Sequence, residues 1–186
     1  MRAPLVIAIP DPSLVVLVGA AGAGKSTFAG RHFAAGEVLS SDSLREAIAG
    51  DATDQRATGP AFAALHRALA RRLLAGRLTV VDATNVTAAA RRALLRRAAA
   101  ARIPAVAIVL DLDPGLVAGR NATRAGRRVP ADAVARQLAG LEAAAIPGVL
   151  EAEGFALVVR LTDHADVDAV RIERVSSPAA PPPRLT

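Results

Sequence analysis

The 186-residue chain has no cysteine, no tryptophan and no tyrosine, only four phenylalanines, and a single lysine among its 23 basic residues. Without cysteine there are no disulfides, no thiolate nucleophile and no zinc–thiolate centre, and the composition fits a reducing compartment. So few aromatics argue against a surface that grips single strands mainly by stacking bases. The N-terminal runs "APLVIAIP" and "SLVVLV" are too short to span a bilayer, and Pro10, Asp11 and Pro12 interrupt what would otherwise pass for a signal peptide. A cytoplasmic protein without a membrane partner is expected.

The hydrophobic fraction of 52% is inflated by alanine, and the net charge of +6 rests almost wholly on arginine. That balance suits a polyanionic partner, and a solvated arginine surface accounts for it equally. The length fits one domain with a real core. The expected domain covers 1–175, and "SSPAAPPPRLT" (176–186) has the composition of a disordered tail.

Unalternating β-branched and leucine runs predict buried strands at 13–18, 37–42, 78–82, 105–112 and 155–161, with a further short one at 168–175. Helices are expected at 25–34, 43–49, 60–75, 88–102, from Pro114 into an arginine-rich stretch, and from Pro130 to Ala145; 50–59 reads as a loop. Strands alternating with helices predict an α/β fold, a parallel sheet with helices on both faces, and a ligand beyond the carboxyl ends of the strands.

The first of those ends carries "GAAGAGKST", which satisfies G-x-x-x-x-G-K-[ST] between strand and helix. The small residues Gly19, Ala20, Ala21, Gly22, Ala23 and Gly24 let backbone N–H groups turn inward around phosphates, leading into Lys25, Ser26 and Thr27 at the positive end of a helix. The solitary lysine has a reason. A compact ammonium lies along such a loop to reach the β- and γ-phosphates, where a planar guanidinium does not fit. Ser26 offers a hydroxyl to Mg²⁺. Binding of ATP or another nucleoside triphosphate follows.

The second end carries "SSDSLR". Asp42 there can face the γ-phosphate and take a proton from an incoming hydroxyl, and Arg45 can hold a phosphate of the acceptor. Helix capping by Asp42 or Ser41, with Arg45 solvated, explains the same spacing. "VVDATN" ends the third strand with Asp82, Thr84 and Asn85; Asp82 stands where an acid helps hold Mg²⁺, or serves as a loop acceptor. Asp111 and Asp113 read as structural. In "RNATRAGRRVP", Arg120 and Arg124 share a helical face that Arg127 joins if the helix continues, as a lid over transferring phosphates; a solvated charge run is the alternative. Arg67, Arg71 and Arg72, and Arg91, Arg92, Arg96 and Arg97, read as ordinary outer helix faces that could also steer nucleic acid by charge.

Together, "SLVVLVGAAGAGKSTFAGRHF", "SSDSLR", "AGRLTVVDATN" and "RNATRAGRRVP" resemble the kinase domain of bacterial polynucleotide kinase–phosphatase, the RNA end-healing enzyme, over about residues 5–175. The resemblance implies a P-loop kinase sheet with its five principal strands ordered 2-3-1-4-5. It implies that Lys25 and Ser26 hold ATP and Mg²⁺, that Asp42 is the general base for a polynucleotide 5′-hydroxyl, and that Arg45 engages the acceptor strand. Arg120, Arg124 and Arg127 become lid residues on the donor, and Thr84 and Asn85 belong to a loop near the acceptor. The family's enzyme continues into phosphatase and ligase modules, so here those steps are expected of separate proteins. Two other functions fit the motifs: a P-loop kinase of a small-molecule hydroxyl, whether sugar, antibiotic or nucleotide, and a non-catalytic nucleotide-binding module.

Overall fold

The computed structural model describes residues 5–50, 58–124 and 128–176. The elements run β1 (Val6–Asp11), β2 (Leu14–Val18), α1 (Lys25–His32), β3 (Val38–Ser40), α2 (Ser41–Ala49), α3 (Thr58–Leu74), β4 (Thr79–Asp82), α4 (Ala88–Ala100), β5 (Ala105–Leu110), α5 (Pro114–Thr123), α6 (Ala131–Ala144), α7 (Val149–Glu153), β6 (Leu157–Leu161), α8 (His164–Ala169) and β7 (Arg171–Ser176).

Five strands form one parallel sheet in the order β3-β4-β2-β5-β6, which is the expected 2-3-1-4-5 arrangement. Its central strands β2, β4 and β5 are buried throughout, because helices cover both faces and alternation in the sequence has nothing to report. The two-residue period of the strands divides the core instead. Val16 and Val18 point to one side, where Leu65, Leu69 and Leu73 of α3, Leu94 of α4 and Leu141 of α6 pack. Val15 and Leu17 point to the other, against Phe28 of α1 and Val117 of α5.

Sequence reading missed one strand. The segment that looked like an interrupted leader is β1, paired in parallel with β7 in a separate two-stranded sheet. Alternate residues Ile7 and Ile9 are fully buried in the second core, so this ribbon covers one face of the main sheet.

Local capping sets the entry of each helix into the site. Gly24, with φ 91°, turns the chain into α1 so that Lys25 is its first residue. Ser40, rather than Ser41 or Asp42, caps α2 by accepting from Ser43 N–H. Asp42 therefore sits inside the first helical turn, with its carboxylate available to Arg45. Asp113 caps α5 ahead of Pro114, and Asp111 pairs with Arg160, so both acids are structural as expected. The tail from 177 onward and most of the expected loop, residues 51–57, lie outside the described residues. Among the described residues no helix is long and apolar enough to cross a membrane.

Candidate active site

The carboxyl ends of β2, β3 and β4 open into one cavity of about 680 Å³. Ala21 to Thr27 line it, together with Asp42, Arg45, Asp82, Thr84, Arg120 and Arg124. Residues from four separate motifs thus meet in one chamber. Gly19 and Ala20 lie beneath, their carbonyl oxygens each accepting from Lys25 Nζ at 2.9 Å. The lysine is folded along its own loop, only 8% exposed. Burial holds its ammonium down to about pKa 8, against the pull of the Asp82 and Asp42 carboxylates; Arg124 adds to the lowering.

Ser26 Oγ donates to Asp82 Oδ2 at 2.7 Å. Burial raises the Asp82 carboxyl above its ordinary range, opposed by the Ser26 hydrogen bond and the Lys25 charge. Two hard oxygen donors side by side at the phosphate loop fit Mg²⁺, which takes one or two protein oxygens and completes its shell with water and phosphate. Among the described residues there is no group of three or more His, Cys, Asp or Glu that would form an all-protein metal cage.

Asp42 and Arg45 form an ion pair at 2.8 Å, with Arg45 only 4% exposed and Asp42 partly open to the cavity. The pair holds the carboxylate at the chamber that the phosphate loop lines.

Of the third motif, Asp82 and Thr84 line the cavity and Asn85 does not. The Thr84 carbonyl oxygen also accepts from Gly19 N–H at 3.0 Å. Asn85 was expected near an acceptor. Instead it is buried in the left-handed region (φ 50°), and its side-chain amide donates to Leu17 O at 2.8 Å and Ala83 O at 3.2 Å. Arg91, expected on an outer face, is buried as well; it donates to Asn85 O and binds Glu153 through two hydrogen bonds. Asp82, Thr84 and Asn85 together clamp the strand and loop that carry the phosphate-binding amides.

Arg120 on α5 and Arg124 just past its end both face the cavity; Arg127 lies outside the described residues. The base of this arginine segment is fastened by Asn121, whose side chain donates to Val129 O and accepts from Val129 N–H. At Gly22 a Cβ would run into Val117 O, so α5 rests directly on the phosphate loop.

Several lining residues escaped sequence reasoning. Gln137 of α6 accepts from Ala21 N–H at 2.8 Å. Arg31 pairs with Asp168 at 2.7 Å, and His164 Nδ1 lies 3.0 Å from the same carboxylate. Phe62 lies one position off the buried line of Ala61, Leu65, Leu69 and Leu73 and lines the chamber. A lone amide among the alanines of α6 and a phenylalanine in so aromatic-poor a chain were the signals available.

A parallel sheet of order β3-β4-β2-β5-β6 with this loop at its centre defines a P-loop kinase-type domain. Residues 14–144 match the AAA domain family AAA_33, and the chain belongs to that family. No curated protein sequence matches it. Similar solved structures include a chain of the Pnkp1/Rnl/Hen1 RNA repair complex, with TM-score 0.58 and 21% identity over 77% of this chain and 47% of that one. This chain therefore spans about half the length of that one. Chaetomium thermophilum Kti12, in complex with ADP-AlF3, aligns with TM-score 0.58 and 19% identity over 83% and 93% of the two chains. An unliganded sugar kinase from Janibacter sp. HTCC2649 aligns with TM-score 0.53 and 25% identity over 81% and 85%.

Proposed function

We propose that the protein transfers the γ-phosphate of ATP to the 5′-hydroxyl end of a polynucleotide, with Asp42 as general base. The observation that carries this reading is the placement of the Asp42–Arg45 pair and Lys25 on the walls of one cavity, at the tips of neighbouring parts of the sheet. The loop amides and Lys25 grip the β- and γ-phosphates. The acceptor oxygen approaches from the α2 side, Asp42 takes its proton, the new O–P bond forms and the bond to the leaving ADP oxygen breaks. Arg45 positions the base through their ion pair and anchors the acceptor. Arg120 and Arg124 screen the charge that shifts between oxygens. Mg²⁺, held by Ser26 and Asp82, supplies further neutralisation of the phosphate charge when bound.

The polynucleotide acceptor is supported by the fold shared with a chain of the Pnkp1/Rnl/Hen1 RNA repair complex and by the net charge of +6. The sugar kinase from Janibacter, at 25% identity, favours a second reading in which the same residues phosphorylate a small-molecule hydroxyl.

An acceptor panel separates them. With radiolabelled ATP, a 5′-hydroxyl oligonucleotide becomes labelled and a set of sugars does not; the reverse pattern overturns the polynucleotide reading. Asp42→Asn, which keeps an oxygen for Arg45, lowers kcat about 10²- to 10⁴-fold and leaves ATP affinity by calorimetry unchanged. An unimpaired Asp42→Asn enzyme removes Asp42 from the base role.

A further inference from the structure

The positive charge of this protein is concentrated on two helices. The segment 58–102 holds nine arginines against one acid, Asp82, a surplus of eight that exceeds the net +6 of the whole chain. That acid belongs to the active-site cavity, and neither α3 nor α4 contains an Asp or Glu. Outside this segment Arg31 pairs with Asp168, Arg136 with Asp132 and Arg174 with Glu37; within it the buried Arg91 pairs with Glu153. The exposed Arg67, Arg71, Arg77, Arg92, Arg96 and Arg102 take part in none of the ion pairs among the described residues.

These side chains form one patch. α3 and α4 pack against each other, Leu65, Leu69 and Leu73 of one sharing a core with Leu94 of the other, and His66 of α3 is held below its ordinary pKa by burial and then by Arg97 and Arg96 of α4. Arg77 acts likewise on Arg72. Crowding like charges costs stability unless an anion lies among them.

Location gives the patch a direction. α3 begins at the active-site cavity, where Phe62 lines the chamber shared with Asp42 and Arg45, and then runs back along the flank of the sheet. Arg67 follows little more than one turn beyond Phe62. From Phe62 to Arg71 the helix rises roughly 13 Å, enough to follow a strand past its first phosphates. α4 starts just beyond β4, whose end supplies Asp82 and Thr84 to the same chamber.

We propose that the outer face of α3 and α4 binds the sugar–phosphate backbone of the acceptor strand beyond its 5′ end. This inference rests on the polynucleotide reading given above. Guanidinium groups pair bidentately with phosphates, and a stripe without aromatics tracks the backbone without reading bases. The contact is therefore sequence-independent and weakened by salt. Leu74 is the one exposed large hydrophobic residue on these two helices among the described residues, which leaves no apolar face to enter a bilayer.

The test uses the full chain, its Arg67→Glu/Arg71→Glu/Arg92→Glu/Arg96→Glu variant, and the corresponding Arg→Gln variant in case charge reversal disturbs folding, with thermal melts confirming the fold. Fluorescence anisotropy measures binding of a labelled single strand of about 20 nucleotides over a salt series. Four lost contacts lower the slope of log affinity against log salt by about 3, and binding at low salt weakens at least about tenfold. In the transfer assay, kcat/KM for the long acceptor falls at least about tenfold, while that for a 5′-hydroxyl dinucleotide, too short to reach past the chamber, changes less than about twofold. Replacement of the four arginines by lysine retains most of the long-strand binding.

Undiminished strand binding by the charge-reversed protein overturns the proposal, as does an equal loss on dinucleotide and long acceptor. Binding to anionic lipid vesicles in place of the oligonucleotide overturns it too. A wild-type protein that binds the strand in a salt-dependent way yet never phosphorylates it overturns the kinase reading, and the acceptor role with it, leaving a nucleic-acid-binding face. One that phosphorylates the strand while the reversed face binds normally overturns the surface alone.

Discussion

Gln137 of α6 places its Oε1 2.8 Å from the backbone N–H of Ala21, tying the helix after the arginine segment to the phosphate loop across 116 residues of sequence. Ala21 lines the cavity, so this N–H is one of the donors that a phosphate oxygen would seek. Side-chain amide and phosphate compete for it.

The competition predicts an unusual gain from a deletion. Gln137→Ala frees the loop amide, and ATP binding by calorimetry tightens about two- to fivefold, in line with the roughly 0.5–1 kcal/mol net worth of one neutral hydrogen bond. Gln137→Glu puts an anion against the loop and weakens ATP at least about tenfold. Weaker ATP binding by Gln137→Ala would mean that the side chain holds nucleotide instead of giving way to it.

Gln137 also shows where sequence reasoning ends. The strands β2, β4 and β5 were legible because they are covered on both faces and must be unbroken apolar runs, whereas the order of the sheet came from the resemblance to a known kinase family. Lys25 and Ser26 were legible because a phosphate loop fixes residue types at fixed spacing, and Asp82 because a lone acid closes an apolar strand run. β1 was not, since Pro10 and Pro12 at its end read as interruptions and its partner β7 is largely exposed. Asn85 and Arg91 carry residue types that suggest ligands or solvent; only the folded chain reveals that their polar groups are spent on Leu17 O, Ala83 O and Glu153. Gln137, His164 and Asp168 reach the cavity from helices distant in sequence, and no local spacing encodes that return.

Lys25 makes the stability of the nucleotide-free protein depend on pH. Its pKa falls from 10.5 to about 8 on folding, chiefly through burial, so between those values the unfolded chain binds more protons than the folded one. The penalty for burying the ammonium is fully present below pH 8 and is relieved as pH rises toward 10.5. Lys25→Met has no such proton. The stability of the wild type relative to Lys25→Met, from urea unfolding without nucleotide or metal, therefore improves with pH across this window by about 3 kcal/mol, at ~1.4 kcal/mol per pKa unit. A difference that stays flat from pH 7 to 10 would show that the ammonium is not desolvated.

Two glycines of the same loop separate a packing constraint from a purely conformational one. Gly22 and Gly24 both have positive φ, 94° and 91°, where an L side chain is strained. A Cβ at Gly24 meets nothing within 4 Å, so Gly24→Ala carries only the backbone strain of roughly 1–2 kcal/mol. A Cβ at Gly22 strikes the backbone oxygen of Val117 and approaches Asn121 N to 3.2 Å. Neither is a flexible side-chain end, so α5 must shift, and Asn121 is the residue that fastens the arginine segment through Val129. Gly22→Ala is therefore expected to cost about 3 kcal/mol or more, lowering Tm by roughly 6–12 °C at 2–4 °C per kcal/mol, against a loss of only a few degrees for Gly24→Ala. It also impairs transfer beyond its effect on ATP binding, because Arg120 and Arg124 move with α5. Equal melting temperatures for the two variants would show that α5 does not bear on the phosphate loop, and would detach the arginines from the position on which their screening role depends.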